Sequence, residues 1–146
     1  MDVNSSNIDQ ALLQAYLDTD YCLSNTSIVI KIGQFNPDLD SFLIDNNAYS
    51  WVFISPENPQ SNRLSPKENQ QRYQELLQIA QKRNYRYWEG YGRGNQQNWP
   101  DEQSLLLLDL ETEEIDQLIL QFDQNAVVKG QINQKAVLLF RNGGVI

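Results

Sequence analysis

The sequence predicts a single α+β domain with a mixed, largely antiparallel sheet and a ferredoxin-like βαββαβ core. Three observations predict this fold. From Tyr49 onward, hydrophobic periodicity indicates strand, helix, strand, strand, helix and strand in that order. Hydrophobic residues make up 40% of the 146 residues, and fifteen aromatic side chains supply much of the apolar area that a core needs. The domain is expected to span residues 1–146, with mobile tails at residues 1–5 and 141–146.

A helix, a strand and a second helix are expected before this core. Ser6 is placed to cap the first helix, and one helical face then carries Ile8, Ala11, Leu12, Ala15 and Tyr16. Residues 27–32 are rich in Ile and Val, which predicts a strand. Asn36 and Pro37 predict the start of the second helix, because Asn caps helices well and Pro fits the first helical position.

The first half of the core begins with a buried strand. Residues 49–55 predict a strand, and residues 51–54 within it form a continuous apolar run, which is typical of a strand that is covered on both faces. Ser65 and Glu68 have the spacing of a capping box, which predicts the start of the first core helix. Residues 85–91 are expected to form the next strand.

The second half of the core follows the same logic. Residues 104–108 predict a buried strand, and Thr112 is expected to cap the next helix. Residues 126–131 and 135–140 predict a C-terminal hairpin that turns at Asn133.

The net charge of −8 does not favour binding to nucleic acid or to an anionic membrane, because phosphate groups repel an acidic protein. The charge is uneven, since residues 63–93 contain seven Lys or Arg and only three Asp or Glu. Most such runs mark a solvated face, and cations are favoured near the C-terminal end of a helix. The acidic remainder of the chain leaves a basic protein partner as one candidate.

Cytoplasm is the expected location. A single cysteine, Cys22, allows no internal disulfide and fits a reducing compartment. The N-terminus lacks the basic and apolar segments of a signal peptide. No apolar run, residues 105–108 included, is long enough to cross a bilayer.

The absence of histidine excludes Ser-His-Asp and Cys-His catalysis and all His-based metal sites. Cys22 has no basic neighbour that would activate it, so it is interpreted as a core or surface thiol. Residues 90–94 read Gly-Tyr-Gly-Arg-Gly, which is not the spacing of a phosphate-binding loop. We expect no cofactor and no metal site.

Two polar loops, residues 56–63 and 92–102, are expected to carry any function. They follow core strands that run in the same direction in the predicted topology, so they should emerge at one end of the sheet. The candidate ligand-binding residues are Asn58, Arg63, Arg93, Trp99, Glu102 and Ser104. The two arginines would attract a small anionic ligand, to which Asn58 would hydrogen-bond and on which Trp99 would stack.

Two alternatives stay open for these loops. In a purely structural interpretation, Asn58-Pro59 forms a turn, the three glycines of residues 90–94 supply positive φ angles, and Trp99 covers a sheet edge. In an enzymatic interpretation, Glu57 and Glu102 act as an acid–base pair or bind Mg²⁺ in a hydrolase or transferase. The preferred hypothesis is a non-catalytic binding or regulatory domain for a small anionic ligand or a protein partner.

Several short motifs suggest a family. They are Tyr16-Leu17-Asp18-Thr19-Asp20-Tyr21, Ile32-Gly33 with Asn36-Pro37, Phe53-Ile54 with Asn58-Pro59, Asn69, Gly90-Tyr91-Gly92, Trp99-Pro100 with Glu102 and Ser104, and Phe122-Asp123-Gln124-Asn125-Ala126. With these motifs, nearly the whole chain resembles the bacterial domain-of-unknown-function family 3293. The resemblance implies a small stand-alone cytoplasmic bacterial protein and supplies no activity. The chain departs from it at Ser55-Pro56, where a Thr-Ala-like pair is expected, and at Asp123, where Gly is expected.

Overall fold

The computed structural model describes residues 10–95 and 99–146, which form one seven-stranded sheet with helices packed on both faces. The tail expected at residues 1–5 and the expected cap Ser6 lie outside the described residues. The α+β class is confirmed, and every pair of neighbouring strands is antiparallel, so the sheet is not mixed.

Four helices and seven strands are present in the described ranges. The helices are α1 (Gln10–Leu17), α2 (Pro37–Asp45), α3 (Pro66–Lys82) and α4 (Thr112–Gln121). The strands are β1 (Asp20–Leu23), β2 (Val29–Ile30), β3 (Ser50–Ile54), β4 (Arg86–Arg93), β5 (Glu102–Leu108), β6 (Ala126–Gln131) and β7 (Val137–Phe140). None of these helices has the length and apolar content needed to cross a bilayer.

The strands lie in the order β2-β1-β4-β5-β3-β6-β7. Strand β1 was not expected, and it lengthens the sheet beside β4 through pairs that run from Asp20–Arg93 to Leu23–Gly90. The strand expected at residues 27–32 is reduced to the two residues of β2, which pair with β1. The N-terminal part is therefore helix, strand, strand and helix.

The sheet separates two apolar layers, because side chains alternate along each strand. Trp51 and Phe53 of β3 face the layer that contains α2, whereas Val52 and Ile54 face the layer that contains α3 and α4. This burial on both faces explains the continuous apolar run of β3.

Helix caps fix the positions of three helices. Asn36 accepts a hydrogen bond from the N–H of Leu39 at 3.0 Å, and Ser65 and Glu68 form the expected capping box. The cap expected at Thr112 is wrong by one residue. Glu111 is the N-cap, because Glu114 reaches back to accept a hydrogen bond from the Glu111 N–H at 3.0 Å.

The C-terminal residues, which were expected to form a mobile tail, fold back on β7. The main chain of Ile146 exchanges two hydrogen bonds with Leu138, at 2.9 and 3.0 Å, and Phe140 donates to the Gly144 oxygen at 2.8 Å. The turn that reverses the chain is possible because Gly143 has a φ of +95°. Pairing with the exposed edge of β7 satisfies main-chain groups that would otherwise have only water as a partner.

Candidate functional site

The two polar loops meet at one end of the sheet, which confirms their expected proximity. Strands β3 and β4 are both antiparallel to β5, which lies between them. Ile54 at the end of β3 pairs with Leu105, and Gly92 near the end of β4 pairs with the first residue of β5. That residue is Glu102, whose Oε2 accepts hydrogen bonds from Asn58 Nδ2 at 2.7 Å and from Trp99 Nε1 at 3.2 Å. Asn58 and Trp99, which come from the two different loops, thus share one oxygen atom of Glu102.

A cleft of about 390 Å³ opens between this end of the sheet and α1. Its aromatic lining side chains are Tyr16, Tyr21, Phe53 and Trp99. Its polar lining includes Asn58, Ser61, Glu102, Ser104 and Gln124. The cleft therefore combines an apolar wall with a few hydrogen-bonding groups at one end, which is the usual composition of a small-molecule site.

Helix α1 forms the outer wall of the cleft. Ala11, Leu12, Ala15 and Tyr16 line it, yet none of the residues of α1 is buried. Helical periodicity predicts that these side chains share one apolar face, which an amphipathic helix normally buries. The periodicity was correct, but it could not indicate that this face would lie against a cavity.

Asn58 anchors the first loop to α3. Its side chain is 4% exposed, and its Oδ1 accepts hydrogen bonds from Asn69 Nδ2 and from the Leu64 N–H, both at 2.9 Å. The Asn58 N–H donates to Asn69 Oδ1 at 3.0 Å. Asn58 also has a φ of 49°, in the left-handed region that Asn tolerates better than most residues.

Glu102 provides the only charged side chain among the described residues of the lining. Burial raises the pKa of Glu102, against the opposing effect of the hydrogen bonds from Asn58 and Trp99. None of the four ion pairs formed by the described residues includes Glu102. Ser104, which is 1% exposed, lies beside it and donates from Oγ to the Glu102 main-chain oxygen at 3.1 Å.

The candidate arginines take other positions. Arg93 Nη2 lies 2.8 Å from Asp101 Oδ2, and neither residue lines the cleft. Gly92 and Gly94 do line it, and because side chains alternate along a strand, Arg93 points to the opposite side of β4. The Arg63 guanidinium carbon lies 5.3 Å from the centre of a Trp99 ring, which is cation–π geometry.

The glycines of β4 have a different role from the one expected. Among the described glycines, only Gly33 and Gly143 have positive φ angles. Gly90 is needed for space, because a Cβ atom there would lie 2.6 Å from the Cys22 carbonyl oxygen and 2.8 Å from the Phe53 ring. The close approach of β1 to β4 therefore depends on Gly90.

Both departures from the family resemblance lie close to the site. Ser55 lines the cleft, accepts a hydrogen bond from the Glu57 N–H at 3.2 Å and donates to the Gln103 oxygen at 2.9 Å. Asp123 has a φ of 54°, a conformation that Gly adopts without a steric cost. Its carboxylate also binds Arg141 at 2.7 Å, an ion pair that Gly could not form.

Glu57 lies beneath the loop and not in the cleft lining. It is 8% exposed, and its Oε2 accepts a hydrogen bond from the Gln103 N–H at 2.7 Å. Burial raises the pKa of Glu57, the hydrogen bond from Gln103 lowers it, and the nearby charge of Glu102 raises it. No group of three or more His, Cys, Asp or Glu side chains in the described ranges is arranged to hold a metal ion.

Replacing Glu57 with Gln should stabilise the protein at about pH 7 and have little effect near pH 4. The folded-state pKa of Glu57 is raised, so the unfolded chain releases this proton first as the pH rises. Between the pKa of Glu57 in the unfolded chain and its higher pKa in the folded protein, ionisation therefore lowers the free energy of unfolding. A glutamine side chain cannot ionise, so Glu57→Gln removes this cost. Urea denaturation at the two pH values measures the difference.

Asp109→Asn is the matched control with the opposite sign. Burial raises the pKa of Asp109, but hydrogen bonds from the N–H groups of Ser50 and Tyr49 and the charge of Arg86 lower it overall. Asp109→Asn should therefore destabilise the protein at about pH 7 and lose that effect in acid. If Glu57→Gln changes the free energy of unfolding equally at both pH values, packing and not ionisation accounts for the effect of that substitution.

Residues 54–127 match the model of a family described as Protein of unknown function (DUF3293). The matched segment runs from the last residue of β3 into β6, so it contains the polar end of the cleft but not α1. No curated protein and no solved structure matches the chain.

Proposed function

We propose that this chain, which belongs to the DUF3293 family of proteins of unknown function, is a non-catalytic binding domain for a small molecule. The molecule would occupy the cleft beneath α1. The observation that carries the proposal is that the apolar face of α1 is not buried and lines a cavity of about 390 Å³. Ligand pockets typically have volumes of about 300–1,000 Å³.

An occupant would add apolar contact to the face of α1 that lines the cleft, where Tyr16 already packs against the core. The four side chains of α1 that line the cleft remain partly or fully exposed. Burying apolar surface stabilises a complex by about 25 cal/mol for each Å² removed from water. The same contact would hold α1 against the sheet, so binding and the position of the helix would be coupled.

The polar end of the cleft is organised before any ligand arrives. Asn58 is fixed by Asn69 and Leu64, and it holds the Glu102 carboxylate. Groups that are already oriented lose little conformational entropy when a ligand binds. This arrangement supports recognition by a few directed hydrogen bonds.

We also infer a ferredoxin-like core. The four strands that begin at Ser50 lie in the order β4-β5-β3-β6, and α3 and α4 pack in one layer, which supports that topology. In such a core the ends of β3 and β4 and the start of β5 lie at the same end of the sheet. The polar part of the cleft lies at that end.

The anionic ligand expected from the sequence is not part of this proposal. Arg93 pairs with Asp101, and the cleft lining contains Glu102 but no Lys or Arg. A small anion would therefore meet a negative charge without a compensating cation in the lining. A basic protein partner stays a prediction from the net charge of −8.

The enzymatic alternative has less support. A raised carboxylate pKa is a common feature of acid–base catalysts, and Glu57 and Glu102 both show it. However, Glu57 is buried, binds the Gln103 N–H and does not line the cleft. A substrate in the cleft would contact Glu102 but not Glu57, so the proposed acid–base pair would be incomplete.

A thermal-shift screen of small organic compounds tests the proposal. A compound at about ten times its Kd should stabilise the folded protein by about 1.4 kcal/mol. Ala15→Phe should abolish that stabilisation, because Ala15 lines the cleft and a benzyl group would fill it. Gln14→Phe places the same ring on the preceding residue of α1, which does not line the cleft, and should leave the stabilisation intact.

Chemical-shift mapping of each hit on the unmodified protein provides a measurement that does not depend on these variants. The shifts should concentrate around Tyr16, Phe53 and Trp99. Hits that bind both variants equally, or that shift only residues remote from these three, would contradict a ligand site beneath α1.

A further inference from the structure

We propose that the occupant of the cleft is an amine-bearing cation with an apolar, ring-sized body. This inference rests on the proposed function, because it assigns a chemical class to the ligand of the same site. Glu102 would bind the ammonium group, and the aromatic wall would pack against the body of the molecule.

Glu102 determines the charge of the lining. Among the described residues that line the cleft it is the only carboxylate, no Lys or Arg is present, and no described residue forms an ion pair with it. Tyr16 is only half-buried as a whole residue, but desolvation of its hydroxyl raises the pKa of Tyr16 to about 12, so this phenol stays neutral near pH 7. A desolvated carboxylate without a cation is costly, and a cationic ligand would remove that cost.

The hydrogen bonds of Glu102 involve only one of its two carboxylate oxygens. Asn58 and Trp99 both donate to Oε2, so they position the carboxylate without using Oε1. No described side chain donates a hydrogen bond to Oε1. An ammonium group has three donors and would complete the coordination of this oxygen.

The aromatic wall lies close to Glu102. Desolvation is the main cause that raises the pKa of Tyr16 and of Tyr21, and the charge of Glu102 makes a smaller contribution in the same direction, so both phenols lie within electrostatic range of the carboxylate. Tyr21 and Phe53 pack edge to face with their ring centres 5.6 Å apart. Aromatic faces next to a carboxylate attract organic cations, since the ring quadrupole adds to the ion pair.

The nearby protein cations do not occupy this position. Arg93 is paired with Asp101, on the other side of β4. Arg63 lies over the Trp99 ring and is not among the groups that shift the pKa of Glu102. Lys31 pairs with Asp20 at 2.9 Å.

Three probes of nearly equal size and different charge test the inference. They are phenethylamine, phenethyl alcohol and phenylpropanoate, each titrated at millimolar concentration into the full chain and followed by chemical shifts of the cleft residues. Phenethylamine should bind about tenfold more tightly than the alcohol, because a hydrogen bond between charged groups contributes more binding free energy than a neutral one, by an amount that corresponds to about tenfold in Kd. Phenylpropanoate should bind most weakly.

Glu102→Gln should abolish the preference for the amine over the alcohol. Glu113→Gln on α4, which is exposed and outside the cleft, changes the net charge equally and should keep the preference. In the unmodified protein, amine affinity should fall in acid as Glu102 is protonated. This pH profile tests the inference even if Glu102→Gln does not fold.

The outcomes separate the two proposals. If the alcohol or the propanoate binds in the cleft as tightly as the amine, the cationic class is wrong and the small-molecule site stands. An amine preference that survives in Glu102→Gln would also overturn the role of this carboxylate. If none of the three probes shifts a cleft residue, both the cationic class and the binding function are contradicted.

Discussion

Replacing Asn58 with Ala should lower the free energy of unfolding by about 4 kcal/mol. The substitution leaves the Leu64 N–H and the Asn69 side-chain amide without their acceptor and removes one donor from Glu102. Each buried polar group that loses its partner costs about 1–3 kcal/mol. Ala is also disfavoured by about 1 kcal/mol in the left-handed conformation at this position.

Urea denaturation of Asn58→Ala and Asn25→Ala separates these contributions. Asn25 has a φ of 61° and is exposed, so Asn25→Ala carries the cost of the left-handed backbone without the buried network. We expect a loss of about 1 kcal/mol there. Equal losses in the two variants would show that the backbone, and not the hydrogen-bond network, accounts for the effect of Asn58.

Replacing Gly90 with Ala should cost about 3 kcal/mol, because it forces atoms into a packed interior. The added Cβ would lie 2.6 Å from the Cys22 carbonyl oxygen, which belongs to the backbone of β1, and 2.8 Å from the Phe53 ring. Strand β1 or the ring must therefore move. Since Phe53 also lines the cleft, the same change should shift the signals of the cleft residues.

Gly92→Ala is the matched control for Gly90→Ala. It lies two residues along the same strand and on the same face, where a Cβ would meet Thr19 Cγ2 at an ordinary distance of 3.6 Å. The free energy of unfolding should change by no more than about 0.5 kcal/mol. A loss at Gly92 as large as that at Gly90 would mean that β4 does not tolerate a side chain at either position.

Local signals in the sequence predicted much of this fold. Asn36 and the pair Ser65 and Glu68 indicated helix starts correctly, because a cap requires particular side chains at a fixed spacing. The apolar run of β3 indicated a central strand, since only such a strand is buried on both faces. The order of these elements then predicted that the two polar loops meet at one end of the sheet.

Features that depend on distant neighbours were missed. Strand β1 has only four residues, of which Tyr21 and Leu23 are buried, and this alternation is too short to identify a strand. The role of Gly90 arises from the approach of Cys22, 68 positions earlier in the chain. Periodicity within one segment contains no information about such an approach.

The site was predicted in its location but not in its composition. Trp99 and Glu102 lie at the expected end of the sheet, whereas Tyr16 and Gln124 were not among the candidate site residues because their segments gave no polar-loop signal. Arg93 was chosen for its charge alone. Its partner Asp101 was visible in the sequence, and the alternation of β4 would have indicated that Arg93 and Gly92 face opposite ways.

The fold-back of the last residues onto β7 also affects self-association. An unpaired strand edge offers amide and carbonyl groups to a second molecule, and such edges promote intermolecular strand pairing. In this protein, Gly144 and Ile146 already bind the Phe140 and Leu138 main chain, while the opposite margin ends in the two-residue β2. Proteolytic trimming of the last three residues would therefore expose a template for oligomerisation that the intact chain conceals.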